Sequence, residues 1–199
     1  MDAVLDPTPG IEWLAGLFPL RLQAREPLVL MFTDIAGFTA YTAERGDRAA
    51  AHLVHRHDAA VLPALRRYSG RVLKRLGDGL MATFASPAAA VAAALEMQRA
   101  ARRVRLRIGI HAGEARVRAG DLIGHDVNVT ARIAERALGG EILVSDAVRA
   151  TTNGLPARFR AARPLVIPGR EPERLFRVLA TIGSAACQTA SVGRRMSAP

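Results

Sequence analysis

An α+β sandwich of the ferredoxin-like βαββαβ kind, with extra C-terminal strands, is the fold class the sequence predicts, and three observations predict it. Apolar runs break off at Asp34 and again around Gly77-Asp78-Gly79. Between them, from about Thr39 to Tyr68, Ala and Leu recur at three- and four-residue spacings, the period of a helix with one apolar face. The whole order then reads strand, helix, two strands, helix, strand, helix, strand, which packs as helices against one mixed sheet.

Each element has a local reason. LVLMFTDI, residues 28–35, is a short apolar run suited to a buried strand. The helix that follows spans about residues 39–68, and Pro63 is its expected kink. RVLKRL and LMATF flank the Gly-Asp-Gly turn, whose composition favours the positive backbone angles of a hairpin. Ser86-Pro87 offers a cap and a first-turn residue for a helix over residues 88–102. RLRIGIHAG is the next strand and AGDLIGHD a connection; residues 127–138 form a third helix, stopped by Gly139-Gly140. EILVS is a strand, and short strands at residues 165–167 and 175–179 complete the sheet. Residues 1–26 read as an N-terminal arm with an apolar patch at Trp13, Leu14, Leu17 and Phe18 between prolines. Residues 27–180 form one domain, and the small, polar, Arg-tipped segment 181–199 is expected to be a disordered tail.

Composition bounds the function. A chain of 199 residues, 50% of them hydrophobic, supports one core. Its 28 basic and 18 acidic residues give a net charge of +10, which favours an anionic partner without choosing among nucleic acid, acidic membrane and phosphorylated small molecule. Aromatic residues make up only 5%, too few for the stacking platforms of a single-strand nucleic-acid binder. Cys187 is the only cysteine, so no intrachain disulfide or cysteine metal site forms. The acidic start MDAVLDPTPG lacks the basic opening of a signal peptide, and IEWLAGLFPL is about half a membrane span; a cytoplasmic protein without a membrane span is expected.

Asp34 and Asp78 each end an apolar run beside glycine, where a ligand or ion can approach the backbone. Two such carboxylates, converging with phosphate oxygens, suit magnesium or manganese; capping or solvation at a turn is the ordinary alternative for either alone. Lys74 is the only lysine, the other 27 basic residues being arginine, which points to a role for a compact ammonium that a guanidinium does not fill; chance survival of one lysine on a solvated face is the alternative. Asn128 and Arg132, four apart, share one face of the third helix, where an amide can hold a ribose oxygen and a guanidinium a phosphate. The competing reading has Arg132 paired with Glu135 on a solvated face. His52, His55 and His57 suggest a metal cluster, but on a helix His57 points away from the other two, which favours a solvated or lightly packed face.

FTDIAGFT, LKRLGDG, GIHAGE and GDLIGHDVNVTAR, in this order, resemble the class III adenylyl and guanylyl cyclase catalytic domain across about residues 28–179. The resemblance implies the fold of that family and a compact bacterial type. Asp34 and Asp78, with the backbone of Ile35, match the positions that bind two divalent ions, Mg2+ or Mn2+. The segment Ile35, Ala36, Gly37, Phe38 and Thr39 matches the loop that wraps the triphosphate. Lys74 and Asp121 match the pair that reads the purine, and lysine with aspartate implies adenine. Asn128 and Arg132 match the residues that orient ribose and stabilise the reacting α-phosphate. The implied activity is ATP to cyclic AMP and pyrophosphate, for signal transduction, in a homodimer of head-to-tail two-fold symmetry. One departure stands out: Glu114 occupies the place of a phosphate-binding arginine in some relatives, and Arg170 is the candidate replacement. Guanylyl cyclase, and a non-catalytic module binding nucleotide or nucleic acid, remain the alternatives.

Overall fold

A computed structural model describes residues 26–118, 121–152, 154–155 and 157–180. The arm up to residue 25, with Trp13, and the tail with Cys187 lie outside the described residues. Strand β1 (Glu26–Ile35) leads into α1 (Phe38–Arg67), then the hairpin β2 (Arg71–Leu76) and β3 (Gly79–Phe84), α2 (Pro87–Ala100) and β4 (Leu106–Arg118). After these come β5 (Asp121–Ile123), α3 (His125–Arg136), β6 (Ile142–Ser145), α4 (Asp146–Ala150), β7 (Ala157–Leu165) and β8 (Glu173–Ala180).

The sheet runs β2-β3-β1-β4-β6-β8-β7, with β5 paired to β4 beside the main path. The first four strands are mutually antiparallel in the order of a ferredoxin-like sheet, and β6 joins β4 in parallel. β1 is central and covered on both sides, which is why it reads as a continuous apolar run rather than an alternation. Its Val29, Met31 and Ile35 enter the large core under α1 and α2, with Leu80, Ala82, Phe84, Leu106, Ile108 and Ile110. Leu30 and Phe32 point the other way, into a smaller cluster with Met81, Ala115, Leu122 and Ala134 beneath α3. The sheet therefore has an α1–α2 face and an α3 face, and successive residues of each strand alternate between them.

Several expectations are corrected. The break in α1 is at Gly46 (φ 76°, ψ 170°), whereas the backbone at Pro63 stays helical. Glycine reaches that left-handed φ without a Cβ clash, while proline costs one hydrogen bond and leaves the turn intact. The strand expected at residues 165–167 is instead the longer β7, which ends at Leu165. As an edge strand it carries exposed Arg158, Arg160 and Arg163, so it lacks the apolar signature. Part of the AGDLIGHD connection is strand β5, and DAVRA forms the short α4; both are too short to show a period. His52 and His55 are exposed, but His57, pointing away as expected, is fully buried rather than lightly packed.

Candidate active site

At the end of β1, Asp34 projects on the α3 face with Leu30 and Phe32, and the β2–β3 turn delivers Asp78 beside it. Gly79 makes this approach possible: a Cβ there would collide with the Thr33 carbonyl oxygen, so only glycine lets the turn lie against β1. Asp78 Oδ2 accepts the Ile35 N–H at 3.2 Å. Burial, then a hydrogen bond and charge from Asp34, push the Asp78 carboxyl up to about 6. Two carboxylates this close form a hard-oxygen donor set of the kind a divalent cation takes.

Arg107 was not anticipated. It stands on β4 as the register partner of Asp34, and its Nη2 donates to Asp34 Oδ2. Its Nη1 reaches the Glu135 carbonyl near the end of α3 at 3.5 Å, and its Nε is buried without a partner. The signal was available, since Arg107 interrupts the apolar start of β4 between Leu106 and Ile108.

The loop after Asp34 is a tight turn. Ala36 donates its N–H to the Arg105 carbonyl at 2.9 Å, and Gly37 (φ 79°) leads directly into α1 at Phe38. No side chain caps this helix and its first turn carries no acid. Its first N–H groups, from Phe38 onward, are therefore left without a side-chain partner and offer a favourable dipole for anionic oxygens.

The other predicted residues lie next in sequence to members of the small cluster on the α3 face. Leu73, Leu122, Val127 and Ala131 all belong to it or pack on it, and they are the sequence neighbours of Lys74, Asp121, Asn128 and Arg132. Lys74 pairs with Met81 in register and so shares the α3 face with Asp34. Asp121 opens β5 opposite Arg118. Asn128 and Arg132 are exposed on α3, and among the described residues neither side chain has a hydrogen-bond or ion-pair partner; the Arg132–Glu135 pair is not formed. The helix bearing them is held by Asp126, whose Oδ2 accepts the Glu114 N–H at 2.6 Å and whose Oδ1 lies 3.7 Å from buried His111. Burial holds the His111 imidazole below its usual range, the nearby carboxylates notwithstanding.

Arg170 falls in the turn between β7 and β8 and lines a cleft of about 220 Å³ with Glu114, Ile123, His125 and Asp126. The Glu114 position and its candidate replacement thus meet, but no described contact joins Arg170 to Asp34 or Asp78.

With this geometry in view, similarity to known proteins is consistent across sequence and structure. The family described as the adenylate and guanylate cyclase catalytic domain matches residues 20–180. An uncharacterized protein of Mycobacterium tuberculosis is 34% identical over 165 residues, covering 80% of this chain and 55% of that protein. A serine/threonine-protein kinase of Myxococcus xanthus is 29% identical over 177 residues, 83% of this chain and 20% of its own length. The chain thus spans about half of one relative and a fifth of the other. The crystal structure of an adenylate/guanylate cyclase/hydrolase from Silicibacter pomeroyi superposes with a TM-score of 0.69 at 28% identity, covering 77% of this chain and 96% of that one.

The family match and the fold together make this a nucleotidyl cyclase domain. The chain belongs to the class III adenylyl and guanylyl cyclase family, which generally uses divalent metal ions.

Proposed function

We propose that the chain is an adenylyl cyclase that converts ATP to 3′,5′-cyclic AMP and pyrophosphate. The observation that carries this reading is the contact of Asp34 with Asp78, where burial and mutual repulsion raise the Asp78 carboxyl to about 6. Such a pair calls for cationic charge. Asp34, Asp78 and the Ile35 backbone would hold two ions, Mg2+ or Mn2+, which lower the pKa of the ribose 3′-hydroxyl and neutralise phosphate charge when bound.

The chain's own residues do the rest. The loop from Ile35 to Thr39 wraps the triphosphate, with the N–H groups of Gly37, Phe38 and Thr39 at the uncapped start of α1 as its donors, those of Ile35 and Ala36 being held by Asp78 and Arg105. Lys74 donates to adenine N1 and Asp121 accepts from the 6-amino group, a pattern that guanine inverts. Asn128 orients the ribose so that its 3′ oxygen lies in line with the α-phosphorus. As that O–P bond forms and the bond to the β-phosphate bridge breaks, Arg132 meets the charge on the α-phosphate. The 3′ proton is lost and pyrophosphate leaves. Arg170 is the candidate contact for the outer phosphates in place of the missing arginine at Glu114.

The site is shared across a head-to-tail homodimer, Asp34 and Asp78 of one copy facing Lys74, Asp121, Asn128 and Arg132 of the other. In its favour, Asn128 and Arg132 are exposed and their side chains are without partners among the described residues. Paired ATP and GTP turnover by the purified chain with manganese tests the reading. Cyclic AMP as the dominant product supports it, and cyclic GMP would make the chain a guanylyl cyclase. Salt-sensitive oligonucleotide retention without turnover would make it a binding module.

A further inference from the structure

His57 is the least expected side chain in the described residues. It is 1% exposed, on the inner face of α1, beside a large core built of apolar side chains. A buried imidazole needs partners on both nitrogens, and here the partners fix its tautomer. Nδ1 lies 3.2 Å from Asp58 Oδ1. A carboxylate only accepts, so Nδ1 carries the proton and Nε2 is left as an acceptor. Thr33 Oγ1 lies 3.0 Å from that Nε2 and donates its hydroxyl proton to it. Asp58 uses its second oxygen, Oδ2, to accept from Arg75 Nη1 at 2.7 Å. Four side chains thus form one line: Thr33 on β1, His57 and Asp58 on α1, Arg75 on β2.

What this line holds follows from strand alternation. Thr33 and Arg75 both lie on the α1–α2 face, Arg75 as the register partner of the core residue Leu80. Their immediate neighbours, Asp34 and Lys74, project on the opposite face. β1 and β2 are not themselves paired, because β3 lies between them. β2 is an edge strand with one hydrogen-bonded neighbour, and its own side chains are largely exposed. Besides Val72 on the large core and Leu73 on the small cluster, it is anchored by Arg75 on Asp58, a charge-assisted contact between a 56% exposed guanidinium and a 21% exposed carboxylate. His57 in turn holds the Asp58 carboxylate, and Thr33 holds His57.

We infer that Thr33, His57, Asp58 and Arg75 form a positioning tie that runs behind the sheet and sets Lys74 on the edge strand relative to Asp34 on the central strand. None of the four is a catalytic residue; each acts through the neighbour that faces the nucleotide. The inference rests on the cyclase reading only for its functional consequence, since the tie itself is a property of the fold.

Four variants of the full chain test it: Thr33→Val, Arg75→Met, the double variant and Arg75→Lys. Thr33→Val removes one hydroxyl while keeping the side chain's volume. Two readouts apply. In amide hydrogen exchange, Thr33→Val should speed exchange across residues 71–76 of β2 several-fold while residues 79–84 of β3, which lie between, stay unchanged. In steady-state kinetics, KM for ATP should rise roughly threefold to tenfold with kcat within about twofold, because the displaced group reads the purine. Arg75→Met should do the same, and Thr33→Val should add nothing in its presence. Arg75→Lys, which keeps a cation for Asp58, should stay near wild type. Unmoved exchange in β2, or effects that multiply in the double variant, would overturn the tie. A wild type that cyclises neither ATP nor GTP would defeat the cyclase reading alone, and exchange would still decide the tie.

Discussion

Arg107 and Asp34 face each other across the β1–β4 pair, and the guanidinium closes onto the same carboxylate proposed to hold a metal. The arginine is therefore a resident counter-cation. Arg107→Gln should lower the stability of the metal-free protein by about 1–3 kcal/mol, since it strips a charged partner from a half-buried carboxylate. The stabilisation gained on adding manganese should increase in the same variant. Thermal melts with and without manganese measure both. An identical manganese shift in wild type and variant would show that Arg107 does not compete for the site.

Asp78 makes a pH prediction whose sign is fixed by its displacement. Its folded carboxyl titrates at about 6, above its ordinary 3.8, so the folded state binds the proton more tightly than the unfolded one. Stability of the metal-free protein attributable to this group is present at low pH and is lost as pH rises from about 4 to about 6. Asp78→Asn should remove that slope. It should also abolish turnover to below about a tenth of wild type, as should Asp34→Ala, by taking a carboxylate from the metal pair. Denaturation curves across the pH range decide the first point and product assays the second.

Mixing two inactive proteins tests the shared site. Asp34→Ala and Arg132→Ala, combined in equal amounts with verified exchange, give half heterodimers in which one site carries both lesions and the other none. About a quarter of wild-type activity should return. A mixture that stays inactive would confine each site to one chain.

Lys74→Arg separates charge from shape. The positive charge is retained, but a planar fork replaces a compact ammonium at the purine edge. The expected result is a fall in kcat/KM for ATP of about tenfold or more, with the melting temperature nearly unchanged. Equal kcat/KM in the variant would return Lys74 to the status of a solvated edge-strand cation.

The sequence carried the central strands and the carboxylate pair because both depend on local pattern: β1 is apolar on two faces, and Asp34 and Asp78 each end a run beside glycine. What it hid depends on pairing across distance. β7 is an edge strand studded with arginine, so burial left no trace in its composition. Arg107 gained meaning only once register set it opposite Asp34. His57 looked like one of three loosely placed histidines until packing separated it from exposed His52 and His55 and gave it Thr33 and Asp58. The break in α1 was assigned to Pro63 because proline is the stronger general disruptor. Gly46 took it instead, through a backbone angle that composition does not display.

Strand β2 also bears on how this domain can change in length. The register slips between Val72 and Lys74, leaving Leu73 as one extra residue against β3. That extra residue lets Val72 pack with the large core while Leu73 sits on the α3-face cluster and Lys74 follows on the same side. Sidedness in a strand is a matter of parity. Losing the single residue would restore even alternation with Lys74 still opposite Met81 and Arg75 still opposite Leu80, so the ammonium and the Asp58-bound guanidinium would keep their sides. For this edge, then, length can change by one residue at Leu73 without moving either charged group across the sheet, and what is lost is one apolar side chain from the α3-face cluster.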